Sequence, residues 1–159
     1  MRARWTDTIH DEWLRNVLKD NPRLSAERLA RTRSLMNDAV RDCLVSGYED
    51  LIATLSLPDP DDRHVLAAAI RARADVIVTY NLSDFPAPTL ALFDIEPLHP
   101  DDFLLFLLDV APGAVCTAVK RQRASLQNPP RTAEELLATL ESQGLTQTVA
   151  QLRQFIELL

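Results

Sequence analysis

The sequence predicts an α/β fold with a mainly parallel sheet, followed by a helical extension at the C-terminal end. Three observations predict it. Residues 63–73 read as a helix and lead into "ADVIVTY", an apolar, β-branched run of the kind that forms a strand buried on both faces of a parallel sheet. The loop "NLSDFP" follows at the carboxyl end of that strand, where α/β sheets place their ligands. From Pro100 onward the apolar spacing is helical throughout. The expected organisation is an α/β domain over residues 1–99 and a helical extension over residues 100–159. A chain of 159 residues, 47% hydrophobic and 25% charged, fits one compact domain with an appendage.

"ARWT" reads as a short strand. A helix begins near Thr8, where Thr8 with Asp11 resembles a capping box, and Ile9, Trp13 and Val17 share one face. "DNPR" ends it, and residues 25–40 form a second helix. Residues 42–57 fit a short strand, then a helix, then an exit loop. "PDPDD" is a turn that opens the helix of residues 63–73, whose inward positions are Val65, Leu66, Ala69 and Ile70. Small side chains at Ala67, Ala68 and Ala69 let this helix lie close to a sheet. "PDDFLLFLLDV" is a helix, and Pro112 starts the next, which runs to Leu126. "NPP" interrupts the chain. Thr132 and Glu135 form a capping box, Gly144 stops that helix, and residues 146–159 make the last, so that residues 131–159 read as a helical hairpin.

The bulk properties narrow the function. No apolar stretch reaches the length of a membrane span, and "MRARWTDTIHDEW" has no apolar core of a signal peptide, which points to the cytoplasm. Cys43 and Cys116 lack metal-ligand spacing and read as free, small hydrophobes. With three glycines in the chain, a phosphate-cradling glycine loop is excluded. The net charge of −6 argues against a simple basic nucleic-acid-binding module. The charge is unevenly spread: residues 1–41 hold nine Lys/Arg and six Asp/Glu, residues 42–119 three and thirteen, residues 120–159 five and four. An acidic middle with basic flanks is either ordinary solvated surface or a cation site inside a polyanion-binding frame.

The acids concentrate in "DPDDRHVLAAA", where three of the first four residues are aspartates. One aspartate at a helix N-terminus is explained by capping and by the helix dipole. Three repel one another, and a hard divalent cation offsets such repulsion. Asp61 or Asp62 is the expected cap, Asp62 the expected ligand, and Asp59 is read as turn chemistry. Asp84 lies in the loop after the apolar strand, where it meets Asp62 at one sheet edge or closes an Asx-turn. Glu12 borders the apolar stripe of the first helix and is a further candidate. His10, His64 and His99 offer metal-free acid–base chemistry, although surface or cap-adjacent roles are expected for them.

The segments "TDTIHDEW", "LPDPDDRHVLAAAI" and "DVIVTYNLSDFP", in this order, resemble the PIN-domain family, in particular its branch of VapC-type toxin ribonucleases. "HPDDFLLFLL" and the helical tail resemble the C-terminal extension of one bacterial subgroup. The resemblance implies a three-layer α/β/α PIN-like domain with a mainly parallel sheet. It implies Mg²⁺- or Mn²⁺-dependent cleavage of RNA, with Glu12, Asp62 and Asp84 as the acidic ligands. Asp61, Thr79 and Asn81 are the supporting polar residues, and Arg15 and Arg63 are offered as phosphate contacts. It also implies a cognate antitoxin and a homodimer. Family members begin with a strand that carries the first acid. This chain is expected to start after it, lacking roughly 25–30 residues, the length of one βα unit. The alternatives are a catalytically impaired PIN-like module that binds RNA or protein, and a helical interaction protein working through residues 131–159.

Overall fold

The computed structural model describes residues 2–159; Met1, first residue of the expected α/β domain, lies outside them. The chain divides into two compact units. One comprises the residues up to Ile77 together with Ser83–Pro97, the other Val78–Leu82 with Leu98–Leu159.

The first unit opens with α1 (Asp7–Asp20) and α2 (Ala26–Ala39). The cap of α1 is Thr6, whose Oγ1 accepts the Ile9 N–H at 3.0 Å, and not the expected Thr8–Asp11 pair. Thr8 instead meets the Tyr48 hydroxyl at 3.1 Å, and Asp11 is engaged by Arg33. Helix α2 is capped by Ser25, as its sequence predicts, but buries no residue. It is held to α1 by polar groups. Arg33 bridges Asp7 and Asp11, and Asn37 Oδ1 accepts from Trp5 Nε1 at 2.7 Å and lies 3.0 Å from His10 Nε2. His10, expected at the surface or beside a cap, is 1% exposed. Its Nδ1 accepts from Trp13 Nε1 at 2.8 Å, so the ring proton sits on Nε2 and is donated to Asn37. The expected strand "ARWT" is reduced to one parallel bridge between Trp5 and Leu44.

A short α3 (Glu49–Ile52) precedes the 3-10 turn Pro60–Asp62 and α4 (Arg63–Ala72). Leu66, Ala67, Ala68 and Ala69 of α4 are buried against Tyr48, Leu55, Leu57, Ile77, Phe85, Leu90 and Ile95. The run of alanines places the α4 backbone close to these neighbours. Arg73 ends α4 in the left-handed conformation, φ +50°. Strand β1 is shorter than the apolar run implies, only Val76–Val78, and pairs with β2 (Glu96–Leu98). The register is parallel: Glu96 N–H donates to the Asp75 carbonyl at 2.9 Å and Thr79 N–H to that of Leu98 at 3.0 Å. Between the strands lies α5 (Ala87–Leu90), and the fold is helix-rich around a small parallel sheet.

The second unit is helical: α6 (Pro100–Val110), α7 (Pro112–Ser125), α8 (Ala133–Ser142) and α9 (Thr146–Leu152). Prolines open α6 and α7 where their missing N–H costs nothing. The Thr132–Glu135 capping box of α8 forms as expected, and the expected last helix gives way beyond Leu152 to 3-10 turns over Arg153–Leu158 that are broken by a kink at Phe155. Leu108, Cys116, Val119, Leu136, Leu137, Val149 and Leu152 belong to its core. Both cysteines are free and buried. Arg153 clamps Glu134 and Glu141 of α8. Among the described residues no helix is long and apolar enough to cross a membrane.

Asp101 does more than its place in the first turn of α6 requires. It is 4% exposed, and its carboxylate accepts the N–H groups of Gln147 at 2.9 Å and Thr148 at 2.8 Å, capping α9 from another helix. Burial alone would raise its pKa, but the bonds from Thr148 and Gln147 outweigh burial and hold it below the ordinary range. A lowered carboxylate pKa contributes stability above the unfolded value, lost as pH falls through the folded one. Asp101→Ala should therefore cost about 2–3 kcal/mol at neutral pH, and the gap in melting temperature from wild type should close below about pH 4. A gap independent of pH would refute the ionised cap. Ala67 is fully buried, so Ala67→Leu should lose about 1–3 kcal/mol in urea titration by overpacking the approach of α4.

Candidate metal centre

Asp59, Asp62 and Asp84 each place one carboxylate oxygen within 4.8 Å of the others. Local sequence explains the convergence. Pro60 supplies the helical φ of the 3-10 turn, and the Asp59 side chain closes that turn by accepting the Asp61 N–H at 2.8 Å. Side chains three apart eclipse in a 3-10 turn, so Asp59 and Asp62 face the same way. Asp84 comes from the loop after β1 and is positioned by its neighbour Phe85, which is 4% exposed in the core that also holds α4.

This corrects the expected roles in the turn. Neither Asp61 nor Asp62 caps through its side chain: Asp62 occupies the N-cap position of α4 without a cap bond, and Asp61 is exposed and outside the carboxylate group. Asp59, read only as turn chemistry, closes the turn and joins the group as well. The aspartate pair at positions i and i+3 across a proline was the signal for it.

Carboxylates this close repel by on the order of 1–4 kcal/mol per pair, depending on the local dielectric. Among the described residues neither Asp59 nor Asp62 forms an ion pair with Lys or Arg. The Asp62 pKa is raised, first by burial and then by Asp59, Asp84 and Glu12, with His64 acting in the opposite direction. Without a cation, Asp62 therefore withdraws stability as pH rises from the ordinary aspartate value through its raised one.

Glu12, half-buried on α1, stands beside the group rather than in it: its Oε1 lies 3.0 Å from His64 Nε2. His64, expected at the surface or beside a cap, stands two residues past the N-cap of α4 but is 7% exposed, because its face of α4 is the core face. Close as it is, the approach to Glu12 lies outside hydrogen-bonding geometry, and neither ring nitrogen has a hydrogen-bond partner. An orphaned buried imidazole is costly. Thr79 and Asn81 lie on the segment that groups with the second unit, where Thr79 Oγ1 accepts the Asn81 N–H at 3.1 Å. Arg15 is exposed on α1, and Arg63 folds back so that its Nε donates to the Pro60 carbonyl at 3.0 Å.

Three hard oxygen donors of like charge, one of them with a raised pKa, match the preference of Mg²⁺ or Mn²⁺ for carboxylates. The fold and this acidic site define a class, and sequence comparison agrees. Residues 2–83 match the PIN domain and residues 100–154 the VapC50 C-terminal domain. The chain belongs to the PIN-domain family. It is 46% identical over 97 residues to a Mycobacterium tuberculosis protein named "Putative ribonuclease VapC50", an alignment covering 61% of this chain and 57% of that relative. No solved structure matches it significantly.

Relief of repulsion gives a test without catalysis. Asp62→Asn should raise the melting temperature of the metal-free protein, and millimolar Mg²⁺ should stabilise the wild type but not the variant. A wild-type melting temperature indifferent to Mg²⁺ and Mn²⁺ would count against a cation at this position.

Proposed function

We propose that the chain is a divalent-metal-dependent endoribonuclease, the toxin of a toxin–antitoxin pair. The convergence of Asp59, Asp62 and Asp84 carries this reading, with the family membership and the similarity to a protein named as a ribonuclease as support. Asp62 and Asp84 hold Mg²⁺ or Mn²⁺, with Asp59 as a third oxygen donor. When bound, the ion lowers the pKa of a coordinated water and neutralises phosphate oxygens. Glu12, at the edge of the group with its Oε1 3.0 Å from His64 Nε2, is a further ligand or orients a metal-bound water. Asp61 supplies polar support, and Arg15 and Arg63 meet substrate phosphates. The partners are RNA, a cognate antitoxin that covers the acidic group through an arginine, and a second copy in a homodimer. The compartment is the cytoplasm.

Incubation of the purified chain with RNA in Mn²⁺ and in EDTA, beside Asp62→Asn and Glu12→Gln, tests the reading. Cleavage should need the metal. Asp62→Asn should lose more than about 100-fold, and Glu12→Gln should fall in the roughly 10–100-fold range of groups that act through a ligand. Cleavage that survives EDTA, or that Asp62→Asn leaves intact, would exclude this chemistry.

A further inference from the structure

Tyr80 stands on the segment that leaves β1, four residues before Asp84 in the chain, and its side chain is 58% exposed. Exposure has not left it loose. Its ring meets His99 edge to face, with centroids 5.1 Å apart and planes at 86°. The His99 ring is fixed in turn, because its Nδ1 accepts the N–H of Asp101 at 3.2 Å as the cap of α6. Tyr80 also lies against Gly144, where a Cβ would come 3.7 Å from the tyrosine Cε1. Gly144 has φ +91°, a conformation suited to glycine, and at 3.7 Å a Cβ would make only ordinary contact, so the ring packs beside the turn that ends α8. At alternate positions on either side, Val78 and Leu82 are 42% and 41% exposed.

A braced aromatic ring open to solvent loses little freedom when a flat group stacks on it. Bases inside a duplex are already stacked and offer no face, whereas an unpaired base does. We infer that Tyr80 is a stacking platform for an unpaired base of the RNA substrate. This rests on the ribonuclease reading for its ligand. His99 is a positioning residue: it braces the ring while more than half of the tyrosine stays exposed.

The test is binding of a short fluorescein-labelled RNA strand without self-complementarity, followed by anisotropy in EDTA so that nothing is cut. The same strand annealed to its complement is the comparison. Wild type should prefer the single strand. Tyr80→Ala should weaken that binding about 5- to 100-fold and leave the duplex unaffected. Tyr80→Phe should bind like wild type, and Tyr80→Leu, which keeps apolar area but no π-face, should fall with the alanine variant. Thermal melting of each variant checks the fold. Equal binding by wild type and Tyr80→Ala, including no binding by either, overturns the proposal. So does equal loss in Phe and Ala, or a change of oligomeric state in Tyr80→Ala with RNA affinity unchanged, which would make the ring a protein contact. The two readings fail separately: RNA binding that depends on Tyr80 with no cleavage in Mn²⁺ keeps the platform and removes the nuclease, and metal-dependent cleavage indifferent to Tyr80 does the reverse.

Discussion

Mutual repulsion of carboxylates is the constraint against which the first unit is built. Asp59, Asp62 and Asp84 are brought together from a turn, a helix start and a strand-exit loop, and each is anchored by something buried beside it. Leu66 and the three alanines behind it seat α4, and Phe85 seats the loop of Asp84. Burying one leucine or phenylalanine stabilises by about 1.5–3 kcal/mol, the same order as the repulsion within one pair of acids. The hydrophobic core therefore does more than keep the unit compact. It supplies the restoring force that holds like charges in register, a strain kept at the place where chemistry is expected.

The units differ in how their helices are joined. In the second, apolar side chains from α6 to α9 meet in one core, and a single ionised carboxylate, Asp101, is embedded among them to fix the start of α9. In the first, α4 is bound by apolar burial, but α1 and α2 are joined by a polar lattice in which Asn37, His10, Trp5 and Trp13 satisfy one another. That lattice admits one tautomer of His10 and little rearrangement, which gives the pair of helices a defined geometry without a large apolar interface.

The sequence was most legible where structure is decided locally. Ser25, Pro100, Pro112 and the Thr132–Glu135 pair mark helix starts because capping depends on residues within one turn. It was least legible where neighbours decide. Thr6 and Thr8 are equally good caps in isolation, and the Tyr48 hydroxyl takes Thr8 out of contention. The run "ADVIVTY" has the composition of a long strand, but pairing is non-local and β2 offers only three residues opposite. Asp62 and Asp84 were legible as acids at a helix start and a strand exit. The turn and the start of α4 at Arg63 were legible, but not that Asp59 joins Asp62 as well as closing the turn, nor that packing buries His64 at its place beside the cap.

Helix α2 stands apart from this scheme, since no residue of it is buried. Fourteen residues are marginal for a helix in water on their own, and the ion pairs from Arg33 that tether it weaken as salt rises. Such a segment opens without disturbing the core behind it. It carries Arg28, Arg31 and Arg33 within six positions, so each opening presents a cluster of basic cleavage sites to a trypsin-like protease. Cleavage there would require only that one surface helix let go of Arg33's acids and of the Asn37 lattice, not that either core open.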